Sequence, residues 1–98
     1  MCHVEFNYLY RDYANYKNHG YVIFSNRENI SLEKIKADIE NKLIDGCWFF
    51  ADKWQLPDLH FEKWDREIDH NYHEFSFVQN TTVEVNDERD IKEFLLKL

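Results

Sequence analysis

The sequence contains very little glycine, proline or cysteine. Its 98 residues include two glycines, one proline and two cysteines. With only Gly20 and Gly46, the chain cannot build a glycine-rich loop that cradles phosphate or a dinucleotide, and it has no nucleophile-elbow motif. Cys2 and Cys47 form no CxxC pair and match no metal or redox motif. Nucleotide-dependent and cysteine-dependent enzyme classes are therefore disfavoured.

Long apolar runs are also absent. The longest, Cys47 to Ala51, is far shorter than the roughly 20 residues needed to span a bilayer. The amino terminus lacks the basic and apolar regions of a signal peptide. We therefore expect a cytoplasmic protein with reduced cysteines and no membrane partner.

Positive charge is scarce and unevenly distributed. The net charge is −7, of which residues 1–27 contribute +1 and the remaining 71 residues −8. Nucleic-acid affinity depends on neutralising phosphates, and an acidic chain without a basic stripe does not provide this. We therefore expect no nucleic-acid partner. The acidity is compatible with good solubility or with a basic protein partner.

Aromatic residues, by contrast, are abundant. Eight Phe, six Tyr and three Trp make up 17% of the chain, and large rings bury much area per residue. A chain of this length is expected to fold as one domain, 1–98, around one core.

The first third of the chain predicts two strands. Val4, Phe6, Tyr8 and Tyr10 alternate with polar residues, which indicates a strand with one buried face. Gly20 then permits a turn, and residues 21–24 form a second, antiparallel strand. Residues 11–19 are predicted to be the loop between them, longer than most hairpin loops.

Two helices are predicted. The first covers residues 32–45, with Ser31 as its N-cap and Gly46 just beyond its end. The second follows Asn86 or Asp87 as its cap. Its apolar stripe consists of Ile91, Phe94, Leu95 and Leu98.

The middle of the chain is less regular. Residues 47–51 are compatible with a buried strand or a short helix. Alternating patterns predict strands over 59–64 and 72–79, the latter with His73, Phe75 and Phe77 on one face. The order β-β-α-(β or α)-β-β-α predicts an α+β domain, with an antiparallel or mixed sheet of four to five strands and two helices packed on one face.

A sequence motif resembles the opening of a family of short, uncharacterised bacterial cytoplasmic proteins. The motif reads Tyr-Arg-Asp-x-x-Asn-Tyr-Lys-x-x-Gly and covers residues 10–20; an Asp-His-x-x-His-Glu-Phe segment over 69–75 extends the resemblance. Similar proteins tend to carry Gln-Val-Gly where this chain has residues 53–55 (Lys-Trp-Gln). The family has no known activity, so the resemblance implies a cytoplasmic single domain and no function.

One candidate site is a group of histidines and carboxylates: His60, Asp69, His70, His73 and Glu74. Such side chains suit zinc or another divalent metal when three or four converge. On a strand, however, residues three apart point to opposite faces. The alternatives are therefore a metal site, an acid–base site, or a structural histidine beside a solvated acidic turn.

A second candidate is the basic, aromatic stretch with Arg11, Tyr13, Tyr16, Lys17 and His19. Tyr and Arg dominate binding hot spots because they combine contact area with directional polar groups. The alternative is a loop whose polar groups only satisfy its own backbone.

The leading functional hypothesis is a non-enzymatic protein-interaction or regulatory module with a protein partner. The competing hypothesis is a metal-dependent enzyme or metal-binding protein that uses the histidines. A small-molecule site near Trp48, Trp54 and Trp64 is a third. No cofactor is predicted, and the sequence leaves the oligomeric state open.

Overall fold

The described part of the chain folds as a four-stranded antiparallel sheet with two helices. A computed structural model describes residues 2–61 and 70–98. The elements in chain order are β1 His3–Arg11, β2 Lys17–Phe24, α1 Leu32–Glu40, β3 Trp48–Phe49, β4 His73–Thr81 and α2 Ile91–Leu96. The strand order across the sheet is β2-β1-β4-β3, with every pairing antiparallel. The predicted α+β class is confirmed.

The central strand β1 supplies one wall of the core. Its even-numbered side chains from Val4 to Tyr10 are all at most 1% exposed. Both helices pack on this core through stripes of buried apolar residues: α1 contacts β4 and α2, and Phe94 of α2 contacts Phe6 of β1. The buried helical residues are Ile35, Ile39, Ile91 and Phe94.

The prediction of a long loop over 11–19 is wrong. Pairing between β1 and β2 continues to Arg11 opposite Lys17, so the hairpin loop is only residues 12–16. The Asp12 carboxylate accepts from the Tyr16 amide at 2.9 Å, and Asn15 takes a positive φ of 68°. A side-chain cap and one left-handed residue close a short hairpin loop that has no glycine.

The predicted shared face of His73, Phe75 and Phe77 is also wrong in one member. Tyr8 pairs with Phe75 and Asn7 with Phe77, so Ser76 is an extra residue that forms a β-bulge. A bulge shifts the side-chain alternation by one residue. His73 and Phe75 therefore face the core, while Phe77 lies on the opposite face and is 47% exposed.

Both helices are shorter than predicted. Ser31 caps α1 through the Lys34 amide, but the helix ends at Glu40 and not at residue 45. Residues 41–47 instead form turns that contain Gly46 at φ 72°. In α2 the N-cap is Asp90, not Asn86 or Asp87, and it forms a capping box with Glu93.

Residues 47–61 are mostly irregular. Of the predicted alternatives for 47–51, the structure has the strand, with only Trp48 and Phe49 paired to β4. The described part of the predicted strand 59–64, residues 59–61, is not a strand, and its remainder lies outside the described residues. Gln55 has φ 55°, a left-handed conformation that residues other than glycine rarely adopt.

A polar cluster of Asp87, Arg89 and Asp90 joins the carboxy-terminal segment to the core. Arg89 forms a bidentate pair with Asp87 and donates to the carbonyls of Trp54 and Gln55 at 3.0 and 2.9 Å. Its guanidinium also lies over the rings of Phe24 and Phe94. Burial raises the pKa of Asp87, but the hydrogen bonds from Arg89 outweigh it, and the net pKa lies below its usual value.

Asp90 completes this carboxy-terminal polar cluster. Its carboxylate accepts from the Ser25 hydroxyl and from the amides of Arg27 and Lys92. Within the described ranges, no helix is both long and apolar enough to cross a membrane.

Candidate functional site

Asp58, His60 and His73 converge at one end of the core, and we call them the histidine cluster. One ligand atom from each residue lies within 4.8 Å of the others. His60 Nδ1 is 2.7 Å from the Asp58 carboxylate, and His73 Nε2 is 3.4 Å from it. The imidazole rings are 5.3 Å apart between centroids. Two imidazoles and one carboxylate thus face the same small volume.

Two segments far apart in sequence bring these side chains together. His73 is the first residue of β4, where it pairs with Tyr10 of β1. Asp58 and His60 follow Pro57, whose carbonyl accepts a 2.6 Å hydrogen bond from the buried Tyr8 hydroxyl. The sheet therefore anchors the irregular segment directly before Asp58.

A second contact holds the same segment farther along. The Leu59 side chain covers Gly20 of β2 so closely that an added Cβ at Gly20 would lie 2.8 Å from it. The side-chain amide of Asn18 also donates to the Leu59 carbonyl at 3.0 Å. Glycine at position 20 therefore allows the close approach that positions residues 58–60.

The Tyr10 ring fixes the orientation of the histidine rings. It contacts His60 edge-on at 4.5 Å, and His70 and His73 at 5.3 Å each. Its hydroxyl donates to the His70 carbonyl at 2.6 Å. Tyr10 is fully buried, so it restricts the rotation of the imidazoles around it.

Burial keeps His73 neutral at physiological pH. Burial first, and then the neighbouring His60, lower the pKa of His73 to about 4, although Asp58 and the Asn71 backbone act in the opposite direction. His73 Nε2 accepts a 3.0 Å hydrogen bond from the Leu59 amide, so the proton of the neutral ring lies on Nδ1. Nδ1 is buried and has no hydrogen-bond partner of standard geometry among the described residues. Burial, and then the charge of Asp58, also raise the pKa of Tyr8, which keeps its hydroxyl protonated.

A cavity of about 250 Å³ opens beside the histidine cluster. Besides the three cluster residues, it is lined by Ala51, Asp52, Leu56 and Asn71. A molecule in this cavity would meet the carboxylate and both imidazoles directly. The arrangement is suited to metal coordination, in which neutral imidazole nitrogens and a carboxylate oxygen bind one ion.

The residues predicted for a metal site divide into four groups. His60 and His73 belong to the histidine cluster, whereas His70 lies outside the 4.8 Å group but contacts the same Tyr10 ring. Glu74 is turned away, because it follows His73 on a strand and pairs with Arg11 at 2.8 Å. Asp69 lies outside the described residues.

Asp58 is the cluster residue that sequence reasoning missed. It is separated from His60 by one residue, and the spacing Asp-x-His was the available signal. This signal is weak because an irregular segment has no fixed side-chain period.

Four of the five residues predicted for a binding surface are exposed around the hairpin loop. Tyr13 and Tyr16 are 68% and 69% exposed. Lys17 and His19 are exposed as well, at the start of strand β2. Arg11 differs, because its guanidinium pairs with Glu74 of β4 and also donates to Asn15.

The tryptophans do not form a common pocket in the described part of the chain. Trp54 is buried and stacks on Phe49 at 4.5 Å. Trp48 lies on the other face of the sheet, next to Tyr72. Trp64 lies outside the described residues.

Comparison with known proteins adds no relative. Family models, curated proteins and solved structures all return no match to this chain. The resemblance to short bacterial proteins stays a prediction, and functional arguments depend on the geometry of the chain itself.

Proposed function

We propose that this protein binds a divalent transition metal, with zinc as the first candidate, through Asp58, His60 and His73. The observation that supports the proposal is the convergence of their ligand atoms within 4.8 Å. Zinc binds imidazole nitrogen and carboxylate oxygen at about 2.0–2.2 Å, so its ligands lie about 3–3.5 Å from one another. Movements of about 1 Å would complete the coordination.

The chemistry of each ligand agrees with this proposal. A histidine must be neutral to bind a metal, and the low pKa of His73 provides a neutral ring. The Asp58 side chain is 60% exposed, so it can rotate towards an ion at little cost. Coordination by His73 Nε2 displaces the Leu59 amide, which lies on an irregular segment.

Three protein ligands leave one or more coordination positions open to the cavity. Structural zinc sites are closed by four protein ligands, whereas catalytic sites retain a position for water or substrate. A site of this type supports metal-dependent chemistry more readily than a purely structural role.

Metal titration tests the proposal. We expect Zn²⁺ at one hundred times its dissociation constant to stabilise the protein by about 2.7 kcal/mol, with one equivalent bound. Thermal unfolding and elemental analysis of the dialysed protein measure these two quantities. The variants Asp58→Asn and His60→Gln should each weaken the affinity at least about tenfold.

The matched control is His19→Gln, which removes an exposed histidine on β2. It should leave zinc affinity unchanged within about twofold. If the wild-type protein binds no zinc, or if the control loses as much affinity as the cluster variants, the metal proposal is wrong.

A second candidate function is recognition of a protein partner by the hairpin loop. The observation that favours it is the exposure of Tyr13 and Tyr16, at 68% and 69%. Exposed tyrosines beside Lys17 resemble the composition of binding hot spots in an otherwise acidic protein. This surface lies apart from the lining of the cavity.

Co-purification tests this second candidate. Changing Tyr13, Tyr16 and Lys17 together to Ser should abolish recovery of a partner while the fold stays intact, as measured by circular dichroism. The variant Leu96→Ser is the control, because Leu96 is 75% exposed and lies on α2, far in sequence from the hairpin loop. Equal recovery with the triple variant would exclude the hairpin loop as the contact surface.

A further inference from the structure

The cavity beside the histidine cluster has walls that select one class of small molecule. We propose that it delivers an uncharged polar molecule, able to donate an electron pair to a metal, to the open coordination positions of the bound ion. This inference rests on the proposed function, because it requires an ion on Asp58, His60 and His73. It adds the class of ligand that the ion takes.

The size of the cavity limits the ligand to a small molecule. A volume of about 250 Å³ is below the usual range for drug-sized ligands, which begins at roughly 300 Å³. Since a water molecule occupies about 30 Å³ of liquid, the cavity holds about eight non-hydrogen atoms. A macromolecular segment other than a single side chain does not fit.

The charge of the walls disfavours anions. A divalent ion on Asp58 has one net positive charge, and Asp52 on the adjacent wall offsets it. The lining residues within the described ranges include no Lys or Arg that would hold a second anionic group. The neighbouring Lys53 directs its ammonium over the Phe50 ring, 5.1 Å from the centroid.

The remaining walls favour a polar ligand that carries no charge. Asn71 offers an amide that both donates and accepts hydrogen bonds. Ala51 and Leu56 are nearly buried and supply an apolar surface for the rest of the ligand. A metal, one amide and one apolar wall together match a small neutral carbonyl compound or azole.

The test uses the Co²⁺-loaded protein, because its visible absorption bands report changes in metal ligation. Imidazole at pH 8 serves as the neutral probe and inorganic phosphate as the anionic probe. We expect imidazole to shift the bands saturably and phosphate to bind at least about tenfold more weakly. The variant Asp52→Lys should strengthen phosphate binding about tenfold and leave imidazole binding within about threefold.

Two further variants distinguish the effect of added charge from the effect of access to the cavity. Asn71→Phe places a ring in the cavity mouth at an exposed position, so it should weaken imidazole binding at least about tenfold without changing Co²⁺ affinity. Asp45→Lys adds the same charge on a turn outside the cavity lining and should change neither probe.

Each outcome either supports or overturns the inference. Unchanged bands with imidazole, or phosphate binding that Asp52→Lys does not strengthen, overturn the selectivity while the metal site stands. A protein that binds no Co²⁺ overturns the proposed function together with this inference.

Discussion

Two polar clusters border the same core, and they differ in how fully their polar groups are hydrogen-bonded. In the carboxy-terminal polar cluster, Arg89 donates to one carboxylate and two carbonyls, and Asp90 accepts from three donors. In the histidine cluster, the Asp58 side chain is 60% exposed, and His73 Nε2 lies 3.4 Å from its carboxylate. The first cluster is saturated, and the second retains binding capacity.

This difference separates a structural cluster from a candidate functional site. A saturated network of buried polar groups rigidifies a fold and offers nothing to a ligand. Groups that retain ligand capacity beside a cavity are costly to stability, and they are most readily explained by a role in binding. Disrupting each cluster should therefore have a different kind of effect.

The largest effect is expected from Arg89→Met in the saturated cluster. The substitution removes the side-chain donors to two carbonyls and to Asp87, which keeps the bond from the Arg89 backbone amide, and it should lower the free energy of unfolding by about 4 kcal/mol. Urea denaturation measures the loss. Lys36→Met, which breaks only an exposed pair with Glu40, should cost less than about 0.5 kcal/mol. Equal losses would mean that the cluster contributes no more than a surface pair.

A pH-dependent effect is expected from His73 in the histidine cluster. Because its folded pKa of about 4 lies below the ordinary value of 6.5, folding favours the neutral ring. This contribution is complete above pH 6.5 and is lost as the pH falls towards 4, amounting to about 3 kcal/mol. Urea denaturation across this range, with a chelator present, measures it.

The variant His73→Gln isolates that contribution. Its amide oxygen can still accept from the Leu59 amide, but it does not titrate. Its stability should therefore fall less steeply between pH 6.5 and 4 than that of the wild-type protein. Parallel curves for the two proteins would show that the ring does not titrate as the structure indicates.

The smallest effect is expected from Tyr8 of β1, which holds the segment that carries Asp58. Tyr8→Phe removes the hydrogen bond to the Pro57 carbonyl and should cost about 1 kcal/mol. It should also weaken Co²⁺ binding about tenfold, because the segment that carries Asp58 loses an anchor. Tyr21→Phe, at an exposed position on β2, should change neither quantity. A stability loss without any change in Co²⁺ affinity would show that the Tyr8 hydrogen bond stabilises the fold but does not support the metal site.

The sequence predicted much of the fold because its strongest patterns are governed by burial. The alternation in β1 and the stripe of α1 follow from one buried face each, and both elements appear. The hairpin loop was predicted too long because the paired strand residues next to it do not alternate between polar and apolar side chains, and such residues resemble a loop in sequence. Ser76 was not predicted as a bulge, since an extra residue in a strand leaves no mark in its composition.

The candidate site was predicted only in part, for a related reason. His60 and His73 were identified by residue type, and chain proximity grouped them with Glu74. Strand alternation instead sends Glu74 to the opposite face, where it meets Arg11. Asp58 joins the cluster through the path of the chain after Pro57, which depends on tertiary contacts with Tyr8.

The bulge at Ser76 also has a consequence for the parity of β4. Odd-numbered residues before it and even-numbered residues after it face the core, as His73 and Val78 illustrate. Loss of that single residue, with the second half of the strand held in register, would remove the bulge and leave His73 opposite Tyr10 and Glu74 opposite Leu9, so both side chains would keep their faces. The histidine cluster therefore depends on the pairing of His73 with Tyr10 and not on the presence of the bulge residue.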